Sequence, residues 1–216
     1  MAAIGRVRVT TVDTQQCSTR WEAKETQILA AAERLFMTRG YSRTSMDAIA
    51  REAGVSKQTL YHHHGSKEAL FAAIVDARTD CLLLSLNAEE LSAQSPRTAL
   101  TELGRHFLDI VLSPSSLGLH RAVVTEVPRQ PELGRLTYER GPRRAIETLA
   151  CYLSKLDGQG RLRVPDSRLA AEQFYGMLLG FMQIRALFAV DPTPAPERIE
   201  RAVGAAVDSF MAAHTP

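Results

Sequence analysis

Cysteine is scarce in this chain. Cys17, Cys81 and Cys151 are odd in number, widely spaced, and form no C-x-x-C pair. Such a set argues against a disulfide framework and suits a reducing compartment. Long hydrophobic runs are absent as well: none approaches the roughly 20 residues that a membrane-spanning helix needs. The first residues, MAAIGRVRVTTVDTQQCSTR, hold no apolar stretch of signal-peptide length. A soluble, cytoplasmic protein with no membrane partner is the expectation. The sequence also lacks G-x-S-x-G, H-E-x-x-H, a P-loop and a glycine-rich dinucleotide fingerprint, which leaves an enzyme without its usual machinery. A strong net charge is missing too, since 26 Lys+Arg against 24 Asp+Glu leave +2. The charge is nevertheless uneven. Residues 1–67 hold ten Lys/Arg against six Asp/Glu, and the remainder holds sixteen against eighteen. A basic N-terminal unit on a near-neutral body suits a module facing nucleic acid.

What is present is helical periodicity. In WEAKETQILAAAERLFMTRG, Ile28, Leu29, Ala32, Leu35 and Phe36 share one face, and Gly40 supplies the stop. Thr44 or Ser45 can cap a short helix carrying Met46, Ile49, Ala50 and Ala53, and Gly54 interrupts it. Ser56 caps a second short helix from Lys57 to about His63, ended by Gly65, and a long helix opens at Ser66-Lys67. Further helices are predicted over 96–112, 116–127, 131–156 with a jog at Gly141-Pro142, and 167–190. After the linker DPTPAP comes a last amphipathic helix with Ile199, Val203, Val207, Phe210 and Met211 on one stripe. No strand alternation, internal repeat or low-complexity tract is visible. The fold class is all-α: residues 1–20 read as a disordered arm, 21–67 as a small helical domain, and 68–216 as a larger one.

Residues 46–65, MDAIAREAGVSKQTLYHHHG, have helix-turn-helix spacing. Ala50 permits a close crossing, Gly54 eases the turn, and Ile49, Val55 and Leu60 supply the internal contacts. The second helix would then turn Lys57, Gln58, Thr59, Tyr61 and His62 outward toward a major groove. A plain helical hairpin with a polar outer face fits the same spacing. The histidine triplet His62-His63-His64 is no chelator, because successive helical side chains point about 100° apart. His64 and Glu68 are four apart, but Gly65-Ser66 between them breaks the helix, so no metal is expected.

The run ILAAAERLFMTRGYSRTSMDAIAREAGVSKQTLYHHHGSKEALFAAIV closely resembles the DNA-binding domain of TetR-family regulators. The shared pattern is A-x-x-L-F-x-x-x-G-Y, then T-S/T-x-x-x-I-A-x-x-A-G-V-S, then T/S-L-Y-x-H/Y-F-x-x-K-E-x-L. His64 departs from it, standing where the family carries an apolar Phe. The stretches HRAVVTEVPRQPELGRLTYERGPRRAI and AAEQFYGMLLGFMQIRALF look like the AefR-like C-terminal domains. The resemblance implies phosphate contacts from Thr44, Ser45, Tyr61 and Lys67, and a base-reading face of Lys57, Gln58, Thr59 and His62. It also implies a homodimer that binds a palindromic DNA operator as a repressor and is released by a small-molecule effector, with no cofactor.

AAEQFYGMLLGFMQIRALF is apolar nearly all round, with Gly176 and Gly180 four apart. By resemblance this segment and the last helix form a four-helix seam between subunits. Candidate effector contacts are His106, Phe107, His120, Tyr138, Tyr152, Phe174, Met177 and Phe181. Each alone reads more readily as core than as ligand contact. As a group they suit a hydrophobic or aromatic effector. A helical adaptor that binds only protein remains the alternative, separable by its lack of salt-dependent DNA binding.

Overall fold

The computed structural model describes residues 23–84 and 94–216, and among these every regular element is a helix. The expected arm at 1–20 lies outside the described residues. Helices α1 (Ala23–Arg39), α2 (Met46–Glu52) and α3 (Lys57–His64) form a small head. Their apolar faces close on Ile28, Phe36, Ile49 and Leu60, all fully buried. Phe36, Tyr41 and Phe71 pack edge-on or tilted with centroids 5.2–5.7 Å apart. Deleting a ring from such a cluster costs about 3–5 kcal/mol, so it carries much of the head's stability.

α4 (Lys67–Leu84) leads from head to body. Leu70, Phe71, Ile74 and Val75 belong to the head core, and Leu82 belongs to the core of the body. The body continues as α5 (Pro96–Val111), α6 (Pro114–Glu126), α7 (Pro131–Arg140), α8 (Pro142–Gly158), α9 (Ser167–Leu179), α10 (Met182–Leu187) and α11 (Pro196–His214). Prolines open α5, α6, α7, α8 and α11, where their missing N–H is no loss. α6 starts two residues ahead of its expected place because Ser113 caps it, accepting a bond from Ser116 N.

Two expected continuous helices are divided. The jog at Gly141-Pro142 is a full break between α7 and α8, since Pro142 cannot donate and Gly141 leaves helical geometry at φ −101 and ψ −98. The span 167–190 stops at Gly180, whose φ of +44 and ψ of −131 end α9 before α10 begins.

The body also reaches into the head. Leu119 and Val123 of α6 and Leu133 of α7 are buried in the head core. Gly118 permits this approach, because a Cβ there would lie 2.6 Å from Met37 Sδ of α1. Among the described residues no helix is long and apolar enough to cross a membrane.

Candidate nucleic-acid interface and effector cavity

α3 is held at its start by Ser56, which accepts a bond from Thr59 N at 3.0 Å, and on its inner face by Leu60. Lys57, Gln58, Tyr61 and His62 are all exposed. The row offers one cation, one amide, one phenol and one imidazole to whatever meets this face. Lys57 meets Asp47 of α2 at 2.7 Å, in an exposed pair that a phosphate or base can readily displace. Thr59 is half-buried, its hydroxyl 2.8 Å from Ser56 Oγ, which leaves its methyl as the more available group. Ser45 caps α2, accepting from Ala48 N at 3.2 Å, and stays exposed with its own proton free to donate outward.

Thr44 does not fit its expected role. It is 1% exposed, and its one hydroxyl proton is shared between Gly40 O at 2.8 Å and Leu35 O at 3.2 Å. No phosphate can reach it; it ties the loop after α1 to that helix. Lys67 also turns inward. Its Nζ donates to Tyr41 O at 3.0 Å and Thr44 O at 3.1 Å, 4.3 Å from the centre of the Tyr41 ring. Two of its three donors are thus spent clasping the loop between α1 and α2. Lys67→Met is expected to destabilise the head by about 2 kcal/mol. It should weaken DNA binding through misplacement of α2, with the salt dependence unchanged. A slope of log affinity against log salt reduced by about one unit would return Lys67 to the phosphates.

The histidines divide by orientation. His62 faces solvent, while His64 packs beneath α3 at 9% exposure. Glu25 of α1 lies between the other two: 3.3 Å from His63 Nδ1 and 3.4 Å from His64 Nε2, the latter without hydrogen-bond geometry. Burial lowers the His64 pKa, Glu25 pulls it up in part, and His63 adds to the lowering. A folded-state pKa below the unfolded value means that unfolding takes up a proton, so this group costs stability as pH falls below about 6.5. His64→Phe is expected to flatten the decline in melting temperature between pH 8 and pH 5. Parallel curves for both proteins would place the acid sensitivity elsewhere.

Behind the head, α4 to α10 line a cavity of about 610 Å³, open to solvent on one side and the size of a drug-like ligand. Of the candidate effector contacts, Phe107, His120 and Tyr138 line it. The other five candidates do not. His106 Nε2 donates to Cys81 O at 2.9 Å, pinning α5 to α4. Tyr152 and Phe174 are body core, and Phe174 packs on Phe210 at 5.3 Å. Met177 and Phe181 point to the outside, at 39% and 77% exposure. The cavity adds Arg78, Thr137, Tyr175 and Gln183, which were not among the candidate contacts. Arg78 alone had a signal, since it continues the buried α4 stripe of Phe71, Ile74 and Val75. Tyr175 stacks near Phe107 at 4.5 Å and donates to Ala145 O at 3.4 Å, and burial raises its phenol pKa. Burial, and then the charge of Arg121, hold the His120 imidazole below its ordinary range, so it is neutral at pH 7.

Two polar ties join the cavity walls to the head. Glu126, at the end of α6, accepts from Ser42 N at 3.2 Å and Ser42 Oγ at 2.6 Å. Arg78 of α4 pairs with Glu33 of α1 and donates to Ser116 Oγ of α6 at 2.6 Å. Each tie therefore links a wall helix to a side chain of α1 or of the loop between α1 and α2.

Two stretches of the chain match known families. Residues 28–74 match the bacterial regulatory proteins of the tetR family, and residues 98–216 match the AefR-like transcriptional repressor C-terminal domain. A solved TetR-family transcriptional regulator from Mesorhizobium loti is 32% identical, with a TM-score of 0.77 over 92% of this chain and 98% of its own. The flavonoid-responsive regulator FrrA is 35% identical, with a TM-score of 0.72 over 89% and 97%. Among curated relatives, the HTH-type transcriptional activator FasR of Mycolicibacterium smegmatis is 35% identical over 85 residues. That match spans 39% of each chain, so the chain covers well under two thirds of this relative. An HTH-type regulator of Mycobacterium bovis is 25% identical over 85% of both.

Proposed function

The chain belongs to the TetR family of DNA-binding transcriptional regulators, and from that premise we propose that it is a cytoplasmic homodimeric repressor released from a palindromic operator by a hydrophobic or aromatic effector. A regulator family leaves the enzymatic reading without support. One observation carries the effector part. α4 and α6 line the cavity and also bury Val75, Leu119 and Val123 in the head core, so filling the cavity bears on the head directly. A ligand that fits one spacing of the two heads shifts the population toward it. A spacing that no longer matches major grooves about 34–36 Å apart, or a multiple of that, lowers DNA affinity, which is the behaviour of a repressor.

Tyr61, Lys57, Gln58 and His62 present the DNA face, with Thr59 beside them and Ser45 at the start of α2. The seam between subunits falls on α9, α10 and α11. Met177, Phe181, Ile184 and Phe188 follow one another at spacings of four, three and four and are all exposed. Gly204 leaves open space for a second backbone.

The test is a thermal-shift screen of aromatic and hydrophobic metabolites, beginning with flavonoids because FrrA is named for them, followed by DNA release. Stabilising compounds should release the operator. Tyr61→Ala should bind it about tenfold more weakly or worse, with an unchanged melting temperature. Compounds that stabilise without release, or a Tyr61→Ala variant of wild-type affinity, would reject the respective half of the reading. Absence of any salt-dependent DNA binding would favour a protein-binding adaptor.

A further inference from the structure

The cavity is lined mainly by apolar side chains, which makes its permanent cation stand out. Arg78 is the only lysine or arginine among the described lining residues. Its guanidinium is divided among three environments. Nη1 donates to Ser116 on α6, Nη2 to Glu33 on α1, and Nε is buried with no hydrogen-bond partner among the described residues. The paired side chains are 23% and 19% exposed, so water screens them less than an ordinary surface pair.

We infer that Arg78 anchors an anionic oxygen of the effector, a carboxylate or ionised phenol on a flat apolar body, and that this anion takes Arg78 away from Glu33. The inference rests on the cavity being the effector site. A guanidinium offers five N–H donors in a planar fork that matches a carboxylate, and here the bonds to Ser116 and Glu33 take two of the five. His120, elsewhere in the same lining and neutral at pH 7, can donate a hydrogen bond to the ligand without bringing a competing charge. The incoming anion and the Glu33 carboxylate are rivals, because two like charges on one guanidinium repel each other. Glu33 belongs to α1, the longest helix of the head. Weakening its tie removes a polar link between α1 and α4, while their shared apolar core holds, and lets the seating of α2 and α3 shift. Linkage runs both ways, so operator binding, which favours the intact pair, lowers affinity for the anion by the same factor.

The probes are 4-phenylbenzoate and 4-phenylbenzamide, alike in shape and different in charge. Binding is measured by calorimetry on the full chain, and operator release by fluorescence anisotropy. Wild type should bind the carboxylate about tenfold or more tightly than the amide, and release the operator only with the carboxylate. Arg78→Gln should bind both alike, and Arg78→Lys should recover part of the preference. Glu33→Gln removes the rival, so it should bind the carboxylate tighter than wild type, whereas a merely structural bridge would leave that affinity equal or lower. If Arg78→Gln does not fold, Glu33→Gln carries the test alone. A wild type indifferent to charge, no binding of either probe, or a Glu33→Gln variant that binds no tighter each overturns the anchor. Release by a neutral flavonoid alongside any of these keeps the effector cavity and removes only the role of Arg78. Failure of every compound to bind removes both.

Discussion

Aspartate at both Phe181 and Phe188 is expected to give a folded monomer that binds operator at least about a hundredfold more weakly than wild type. The two rings are 77% and 75% exposed in the single chain, so their removal takes little from its core. In a dimer they would be buried, and carboxylates there would be desolvated without partners. Loss of the dimer converts two linked head contacts into independent ones and forfeits the effective concentration of the second. Sedimentation should show the monomer mass, and thermal unfolding should stay near the wild-type temperature. A variant that remains dimeric would move the seam off α9 and α10.

The second large effect is expected from Glu126→Ala. Glu126 is only 6% exposed, and its carboxylate accepts both the backbone N–H and the hydroxyl of Ser42. Gln130 adds a bond to the same Ser42 hydroxyl at 3.1 Å. Removing the carboxylate takes away both bonds, and with Ser42 itself exposed to water this should cost about 1–3 kcal/mol, or about 3–10 °C in melting temperature. Ser42 sits in the loop that seats Ser45 and α2, so operator affinity should fall as well. The bonds from Ser42 hold the Glu126 pKa below the usual carboxylate range. The tie is therefore complete at neutral pH and is lost only as pH falls through that lowered value. Glu126→Gln keeps the shape and one acceptor, so it should lie between wild type and Glu126→Ala. Three proteins with equal stability and equal operator affinity would show that this contact transmits nothing.

Much of the head was legible from residues alone. Gly54 between two capped runs, with Ile49 and Leu60 at helical spacing, identifies the helix-turn-helix because those signals are local. The same logic found the outward row of Lys57, Gln58, Tyr61 and His62, since a buried Leu60 leaves them one direction. It did not show that Thr44 and Lys67 turn donors inward. Both are polar residues in a phosphate-binding motif, yet their donors are taken by carbonyls of the loop at Leu35, Gly40, Tyr41 and Thr44. Which acceptor a hydroxyl or ammonium finds depends on how the loop folds back, and no spacing reports that.

The effector side divides the same way. Phe107, His120 and Tyr138 reach the cavity, but Phe174 and Phe181 lie one at the body core and one on the outer surface of the same region. Their sequence signals are alike, so only the break at Gly180 and the packing of α9 on α11 tell them apart. The sequence by itself determined an all-helical chain, a basic helix-turn-helix head, and the family, because periodicity, caps and turns act over a few residues. Only the tertiary structure decided that Arg78 joins the cavity to Glu33, that Glu126 grips Ser42, and that His64 is buried. Those partners stand 45, 84 and 39 positions apart or are set by packing around them, and a charge shows its function only when the fold supplies its counterpart.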